Sequence, residues 1–349
     1  MYPLFRRFLF HLDPETAHQL TLYALRSTQY FPPARWILHQ IYKIPSKPVQ
    51  AFGLTFKNPV GLAAGYDKDA VAINGLSALG FGHVEVGTVT LKPQPGNPKP
   101  RVFRLVEDEA VINRMGFPGK GADFVVDRFK HSNIQTFKPA NTVLGINLGK
   151  NKDTPLEQAA SDYIALMRRF MPYADYLAIN ISSPNTVGLR RLQGREMLEG
   201  LLGAIEQERR TALTPTPSPR WRGERVPVLV KIAPDLMDEE LDDAIGVILD
   251  KGMDGVIATN TTLAREGLRS RYQGESGGLS GSPLRVRSEA VLSRVIKLVD
   301  GKVPVISAGG IMNPDDAKKR LALGASLVQV YTGLIYAGPT LVKRIVASL

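Results

Sequence analysis

From residue 58 onward the chain alternates short runs, nearly continuous in apolar and β-branched residues, with longer stretches of helical periodicity. The short runs are Asn58–Gly65, His83–Thr90, Thr142–Gly149, Tyr176–Pro184, Val226–Pro234, Gly255–Thr262, Val303–Ile311 and Leu327–Ile335. A strand covered on both faces needs no polar alternation, so runs such as VPVLVKIAP predict buried parallel strands. Helical spacing fills most of the gaps, at Glu157–Met171, Gly194–Arg210, Asp238–Lys251, Leu284–Val299 and Pro314–Leu323. Eight strands joined by crossover helices predict an α/β fold, a closed (β/α)₈ TIM barrel. An open doubly wound sheet would need a nucleotide fingerprint after its first strand, and GLAAGYDKDA lacks the G-x-G-x-x-G spacing.

The first fifty residues differ in character. Leu4, Phe5, Phe8 and Leu9 share a helical face beside Arg6 and Arg7. Asp13-Pro14-Glu15 reads as an N-cap with proline at the first helical position, and Pro32-Pro33 starts another helix around Trp36, Ile37 and Ile41. The pattern predicts a short N-terminal amphipathic helical segment (residues 1–50) ahead of the barrel (51–349). By pattern alone that segment is either a helical cap on the barrel or a helical pair lying in a membrane interface. Two connections are long. Leu91–Asn141 reads as an excursion covering the barrel mouth, and the polar, Gly-rich Leu263–Pro283 as a mobile lid. Near 211–226 a Pro/Arg-rich stretch, TPTPSPRWRGER from Thr214 to Arg225, predicts an extended surface insertion with no part in the core.

An apolar fraction of 44% and a charged fraction of 22% are those of an ordinary folded chain. With no cysteine, disulfides, thiolate metal sites, Fe–S clusters and cysteine nucleophiles are all excluded. The net charge of +11 favours anionic partners, but the basic residues are scattered without interleaved aromatics, so no nucleic acid partner is expected. No apolar run approaches the roughly 20 residues of a membrane span, and the N-terminus lacks a signal-peptide cleavage pattern.

The chemistry gathers at strand C-termini, where a barrel builds its active site. Polar groups end successive strands: Gly65-Tyr66-Asp67-Lys68, Gly87-Thr88, Asn147, then Asn180, Ser182, Ser183 and Asn185, and finally Thr259-Asn260-Thr261-Thr262. Lys231 interrupts an otherwise apolar strand. Buried lysine is costly without an anion, which leaves a Schiff base, a cation facing an anionic cofactor, or a core salt bridge. Ala308-Gly309-Gly310 and Tyr331-Thr332-Gly333 close the last two strands, where barrels commonly seat phosphate, and Gly277–Gly281 offers a further Gly-rich approach. No carboxylate pair ends neighbouring strands, and the five histidines show no metal-ligand spacing, so no metal is expected. A site with so little acid–base equipment suggests a bound cofactor.

The strings GLAAGYDKD, GTVTLKPQPGNPKPR, INRMGFPGKG, GINLGKNKDTP, YLAINISSPNTVGLR, KIAPDL, GVIATNTT, GGLSG, SAGGI and GASLVQVYTGLIY occur in one order along the whole chain. Together they resemble the class 2, membrane-associated and quinone-dependent dihydroorotate dehydrogenases. The resemblance implies an FMN-dependent oxidation of dihydroorotate to orotate in pyrimidine biosynthesis, with electrons passed to a membrane quinone. It further implies a peripheral protein on the cytoplasmic face of the cell membrane, expected to be a monomer. Ser183 would be the base that removes the C5 proton, where soluble relatives carry cysteine, with proton transfer through Thr186 near Phe117.

By the same resemblance Ala64, Gly65, Tyr66, Asp67, Lys68, Thr88, Asn147, Asn180, Lys231, Thr259, Gly281, Gly310, Tyr331 and Thr332 would hold FMN. Lys68, Asn113, Arg114, Met115, Gly116, Phe117, Asn180, Asn185, Asn260 and Thr261 would hold the substrate. The N-terminal helices would form the quinone entrance. Tyr66 and Ala70 depart from the usual family pattern, in which an aliphatic or phenyl side chain and glycine are common. Competing readings are another flavin barrel of the dihydropyrimidine dehydrogenase or dihydrouridine synthase type, a flavin-free Schiff-base lyase on Lys231, and a membrane-surface scaffold.

Overall fold

The computed structural model describes residues 2–131, 142–211 and 225–349, so most of the insertion expected near 211–226 lies outside the described residues. Three helices come first: α1 (Tyr2–His11), α2 (Pro14–Ser27) and α3 (Pro32–Ile41). A hairpin of β1 (Val49–Ala51) and β2 (Leu54–Phe56) leads into β3 (Val60–Leu62), α4 (Ile73–Ala78) and β4 (His83–Val89). After an excursion through β5 (Val102–Leu105) and β6 (Ala110–Asn113), α5 (Gly121–His131) precedes β7 (Val143–Leu148). The chain continues through α6 (Ala159–Phe170), β8 (Tyr176–Asn180), α7 (Arg195–Thr211), β9 (Val228–Ile232), α8 (Asp238–Asp250) and β10 (Gly255–Ala258). It ends with β11 (Gly278–Gly281), α9 (Arg285–Val299), β12 (Val305–Ala308), α10 (Pro314–Ala322), β13 (Leu327–Val330), α11 (Thr332–Ala337) and α12 (Thr340–Ser348).

Strands β3, β4, β7, β8, β9, β10, β12 and β13 close in that order into a parallel barrel, as the sequence pattern predicts. Each predicted run overshoots its strand, because the polar C-terminal residues leave the ladder to form the mouth. The last run ends furthest from expectation: Thr332–Ala337 is helical. Every barrel-strand residue is buried. Inside the barrel, large and small residues are matched. A β-carbon on Gly61 would lie 2.0 Å from the His83 ring, and one on Gly145 would lie 2.1 Å from the Tyr176 ring. At the N-terminal end the hairpin inserts Ala51 and Phe56 among Val143, Leu229, Ile257 and Leu327, closing the floor.

At the mouth, the excursion after β4 is joined by the second long connection. The connection read as a mobile lid supplies β11, which pairs antiparallel with β6 in a three-stranded sheet. Strands β5 and β6 pair as a local hairpin, but β11 joins β6 from more than a hundred residues away, so its partner was not visible locally. Helix α2 starts as predicted: Asp13 Oδ1 accepts from the amides of Glu15 and Thr16 at 3.0 Å, with Pro14 in the first turn. Helix α1 is fastened to α11 by Arg6, whose Nη1 donates to the Tyr336 carbonyl at 2.8 Å, and by the Phe10–Tyr336 ring pair.

Candidate active site

One deep cavity, about 940 Å³, runs from the barrel mouth to the space beneath α1–α3, within the usual size of a ligand site. Its walls change character along its length. The helix end is lined by Phe5, Leu20, Ala24, Leu38 and Ile41, and the barrel end by asparagines, lysines and Ser183.

The strand ends bring the polar groups together. Asn180 Nδ2 donates to Thr88 Oγ1 at 2.9 Å and to Asn147 Oδ1 at 3.0 Å, and Asn260 Nδ2 donates to Ser182 Oγ at 2.9 Å. From the loop after β8, Asn185 Nδ2 donates to Oδ1 of Asn113, the last residue of β6, at 3.1 Å. Ser183, buried at the cavity wall, accepts from the Asn185 amide at 3.3 Å. Three residues on, the buried hydroxyl of Thr186 has no partner among the described residues, nor has that of Thr261. A buried hydroxyl without a partner is uncommon unless a ligand or solvent supplies one. Phe117, on the cavity wall, adopts φ 53, a left-handed conformation uncommon for a bulky residue.

Two cations face this cavity. Lys68 Nζ donates to the Gly65 carbonyl at 2.6 Å, and burial pushes its ammonium down to about 8. Lys231 is buried in β9 and, among the described residues, makes neither a hydrogen bond nor an ion pair within 4.0 Å. Burial lowers its ammonium too, opposed by the charge of Glu85 deeper in the barrel. The core salt bridge is thus not formed, and the lysine stands ready for an anion. Near the last strands, Gly281 (φ 98) and Gly310 (φ 72) are tight: a β-carbon would lie 2.3 Å from the Glu109 carbonyl and 2.4 Å from Arg285 Cα, respectively. Thr332 joins them through its hydroxyl on Ser280 Oγ at 2.9 Å. These glycines are required by packing against Glu109 and Arg285, and both line the cavity together with the two cations that lack carboxylate partners, a setting that suits an anionic ligand.

Of the residues expected at the site, Ala64, Gly65, Tyr66, Lys68, Thr88, Asn180, Ser183, Asn185 and Lys231 line the cavity, as do Asn113, Met115, Gly116 and Phe117. So do Thr259, Asn260, Thr261, Gly281, Gly310, Tyr331 and Thr332. Four stand off the wall, one of them Thr186, expected as the proton relay. Asp67 is buried, accepting from the amides of Val71 and Ala72 at 2.8 Å, so it shapes the turn after β3. Asn147 lies one layer deeper, donating to Glu85 Oε1 at 2.8 Å while it orients Thr88 and Asn180. Arg114 turns outward, pairing with Glu275 and stacking over Phe103.

The interior network beneath them was not foreseen. Glu85 accepts from Asn147, from Tyr176 Oη at 2.9 Å and from Gln329 Nε2 at 2.8 Å. Its only sequence signal is a carboxylate within the apolar run HVEVGTVT. His18 and Thr21 of α2 were also missed. The Thr21 hydroxyl lies 3.1 Å from Tyr66 Oη, and the His18 ring meets Tyr66 edge-on at 4.8 Å. Burial, then the Lys68 charge, push His18 down to about 3, so it stays neutral.

Fold and site together define a (β/α)₈-barrel protein with a deep ligand cavity at its C-terminal mouth, capped by N-terminal helices. The dihydroorotate dehydrogenase family profile matches residues 47–349. Similar proteins named dihydroorotate dehydrogenase (quinone) include those of Yersinia pseudotuberculosis serotype O:1b (strain IP 31758) and Yersinia pestis bv. Antiqua (strain Angola). Each is 48% identical over 349 residues, covering 100% of this chain and 99% of the relative. Among solved structures, DHODH from Eimeria tenella in complex with ferulenol superposes with a TM-score of 0.89 at 42% identity, covering 98% of this chain and 93% of that one. The ligand-free Eimeria tenella form gives 0.86 at 43% identity, over 96% and 94%. This chain belongs to the dihydroorotate dehydrogenase family.

Proposed function

We propose that the protein oxidises (S)-dihydroorotate to orotate with FMN as cofactor and a membrane quinone as acceptor, the oxidation step of pyrimidine (UMP) synthesis. One observation carries the reading: a single cavity joins Ser183 and its asparagine cluster to two lysines without carboxylate partners and then to an apolar end under exposed helices.

FMN, when bound, supplies the hydride acceptor. Lys68 and Lys231 would hold it at its electron-rich ring, with Thr88 and Asn180 beside them, and Gly281, Gly310 and Thr332 would hold its phosphate. On the substrate side Asn113, Asn180, Asn185, Asn260 and Thr261 provide neutral donors and acceptors for a carboxylate and ring carbonyls. An amide pair binds such groups without adding charge that competes with the lysines. Ser183 takes the C5 proton. Serine is a weak base near neutrality, so the proton must leave along hydroxyls, and Thr186, three residues on and with a buried hydroxyl that has no protein partner, is the proposed recipient.

Residues 1–50 would form the acceptor entrance and 51–349 the catalytic barrel. Ten of the sixteen exposed large apolar side chains of the described residues lie between Leu4 and Ile41, which suits helices resting in a membrane surface. No helix among the described residues is long and apolar enough to cross a membrane. Peripheral membrane association is part of the proposed function, and the monomeric state and the cytoplasmic face of the cell membrane are taken from the family resemblance. Purified protein should be yellow, should release FMN on denaturation and should sediment with lipid vesicles. A colourless protein that traps substrate with borohydride at Lys231 would replace this reading with Schiff-base chemistry.

A further inference from the structure

We propose that Asn97 is a positioning residue for the substrate pocket, held in place by Arg101 and Glu15, so that pocket and helix α2 move as one unit. The proposal rests on the substrate reading of the site given above.

Asn97 lies in the excursion after β4 and ties together two loops that meet nowhere else in sequence. Its amide Nδ2 donates to the Arg114 carbonyl at 2.9 Å and to the Asn185 carbonyl at 3.2 Å. Its backbone N–H donates to the Met115 carbonyl at 2.9 Å. A side-chain amide nitrogen has two hydrogens, and both are spent on backbone. The loops so clamped carry Asn113 and Asn185, whose side chains meet at 3.1 Å on the cavity wall. The fit is close: a β-carbon on Gly116 would lie 2.8 Å from Asn97 Cγ, and one on Gly96 (φ 76) would lie 2.4 Å from the Met115 carbonyl.

Behind Asn97 stands Arg101. Its Nη1 donates to the carbonyls of Pro95 at 2.7 Å and Asn97 at 2.9 Å. The opposite edge of the guanidinium grips Glu15 of α2, with Nε at 3.2 Å from both carboxylate oxygens and Nη2 at 3.0 Å from Oε1. Both side chains are buried, so neither charge has solvent as an alternative. Glu15 lies in the first turn of α2, where a negative charge is favoured. An unbroken chain of polar contacts therefore runs from α2 through Glu15, Arg101 and Asn97 to the two substrate loops. None of these three reaches a reacting atom in the reading above; they act on where Asn113 and Asn185 stand.

The test uses the full-length flavin-loaded enzyme and steady-state kinetics with each substrate varied. Asn97→Asp keeps the shape and removes both donated hydrogens. It should raise the KM for dihydroorotate about fivefold to tenfold, the worth of a lost buried hydrogen bond or two, with kcat changed far less. Asn97→Ser provides the same reading if the aspartate variant folds poorly, as judged by flavin content. Glu15→Gln should raise the same KM to a smaller degree, and in the double variant the two effects should fall short of multiplying. An unchanged dihydroorotate KM in both Asn97 variants overturns the positioning role. Multiplying effects overturn the link to α2. Wild-type protein that fails to oxidise dihydroorotate contradicts the substrate reading itself, and the relay falls with it.

Discussion

Ser183, the base of the reaction proposed above, accepts from the Asn185 backbone amide, and among the described residues no histidine or carboxylate is hydrogen-bonded to it. A base so poorly assisted should work better as solvent becomes more alkaline. Reduction of the enzyme by dihydroorotate, followed by stopped flow, is expected to quicken from pH 6 to 9, and a flat profile would remove serine from the base position. Ser183→Ala should slow the same step roughly 10²–10⁴-fold while orotate still binds. Ser183→Cys should retain more activity, with its pH dependence moved to lower pH because a thiol ionises more readily. The lysines make a separate prediction. Burial holds Lys68 at about 8 in the folded chain, against an ordinary 10.5. Below about 8 both folded and unfolded chains carry the ammonium, and its burial penalty is fully felt. Between the two values the unfolded chain binds the extra proton, so the folded state gains stability as pH rises. The melting temperature of cofactor-free wild type, minus that of Lys68→Met, should therefore climb from pH 8 to 10; a falling difference would contradict the burial argument. Most of these residues were legible, because a lysine in VLVKIAP and asparagines at strand ends have no use in a core. Glu85 and Asn97 were not, since their meaning lies in partners 62 and 88 residues away.

Helices α1–α3 are amphipathic, as their spacing predicts, yet the apolar face divides two ways. Leu9 and Ala17 are buried against the protein, while Phe8 and Trp36 are 58% and 64% exposed. Pattern alone could not separate a cap from a membrane face, because α1 and α2 bury part of their apolar surface against the protein and leave the rest exposed, while α3 has no buried residue. If the exposed face rests in lipid, Phe8→Ser combined with Trp36→Ser should weaken binding to vesicles by at least about 10-fold, since each aromatic contributes roughly 1.5–3 kcal/mol on full burial. Activity with a water-soluble dye acceptor should be kept and activity with a membrane quinone lost. Equal loss with both acceptors would mean that the helices merely stabilise the barrel. The three-stranded sheet over the mouth illustrates the opposite limit of sequence reading. Its β11 is only Gly278–Gly281, too short and glycine-rich to register as a strand, and it exists because β6 offers it an edge.

At the scale of the whole molecule, the barrel was the most legible feature. Eight buried strands need continuous apolar runs, and nothing else in the chain imitates them. What periodicity could not reveal is that the mouth and the space beneath the helices form one cavity. That continuity is a product of tertiary packing, and it makes an electron route from an anionic substrate to an apolar acceptor physically reasonable. The central claim is that both half-reactions occur along this cavity. The direct measurement is an anaerobic absorbance titration of the purified, flavin-loaded protein. Added dihydroorotate should bleach the flavin stoichiometrically, and a quinone in detergent or vesicles, rather than fumarate or NAD⁺, should restore the colour. A flavin that dihydroorotate does not bleach, or that quinone does not reoxidise, would contradict the account.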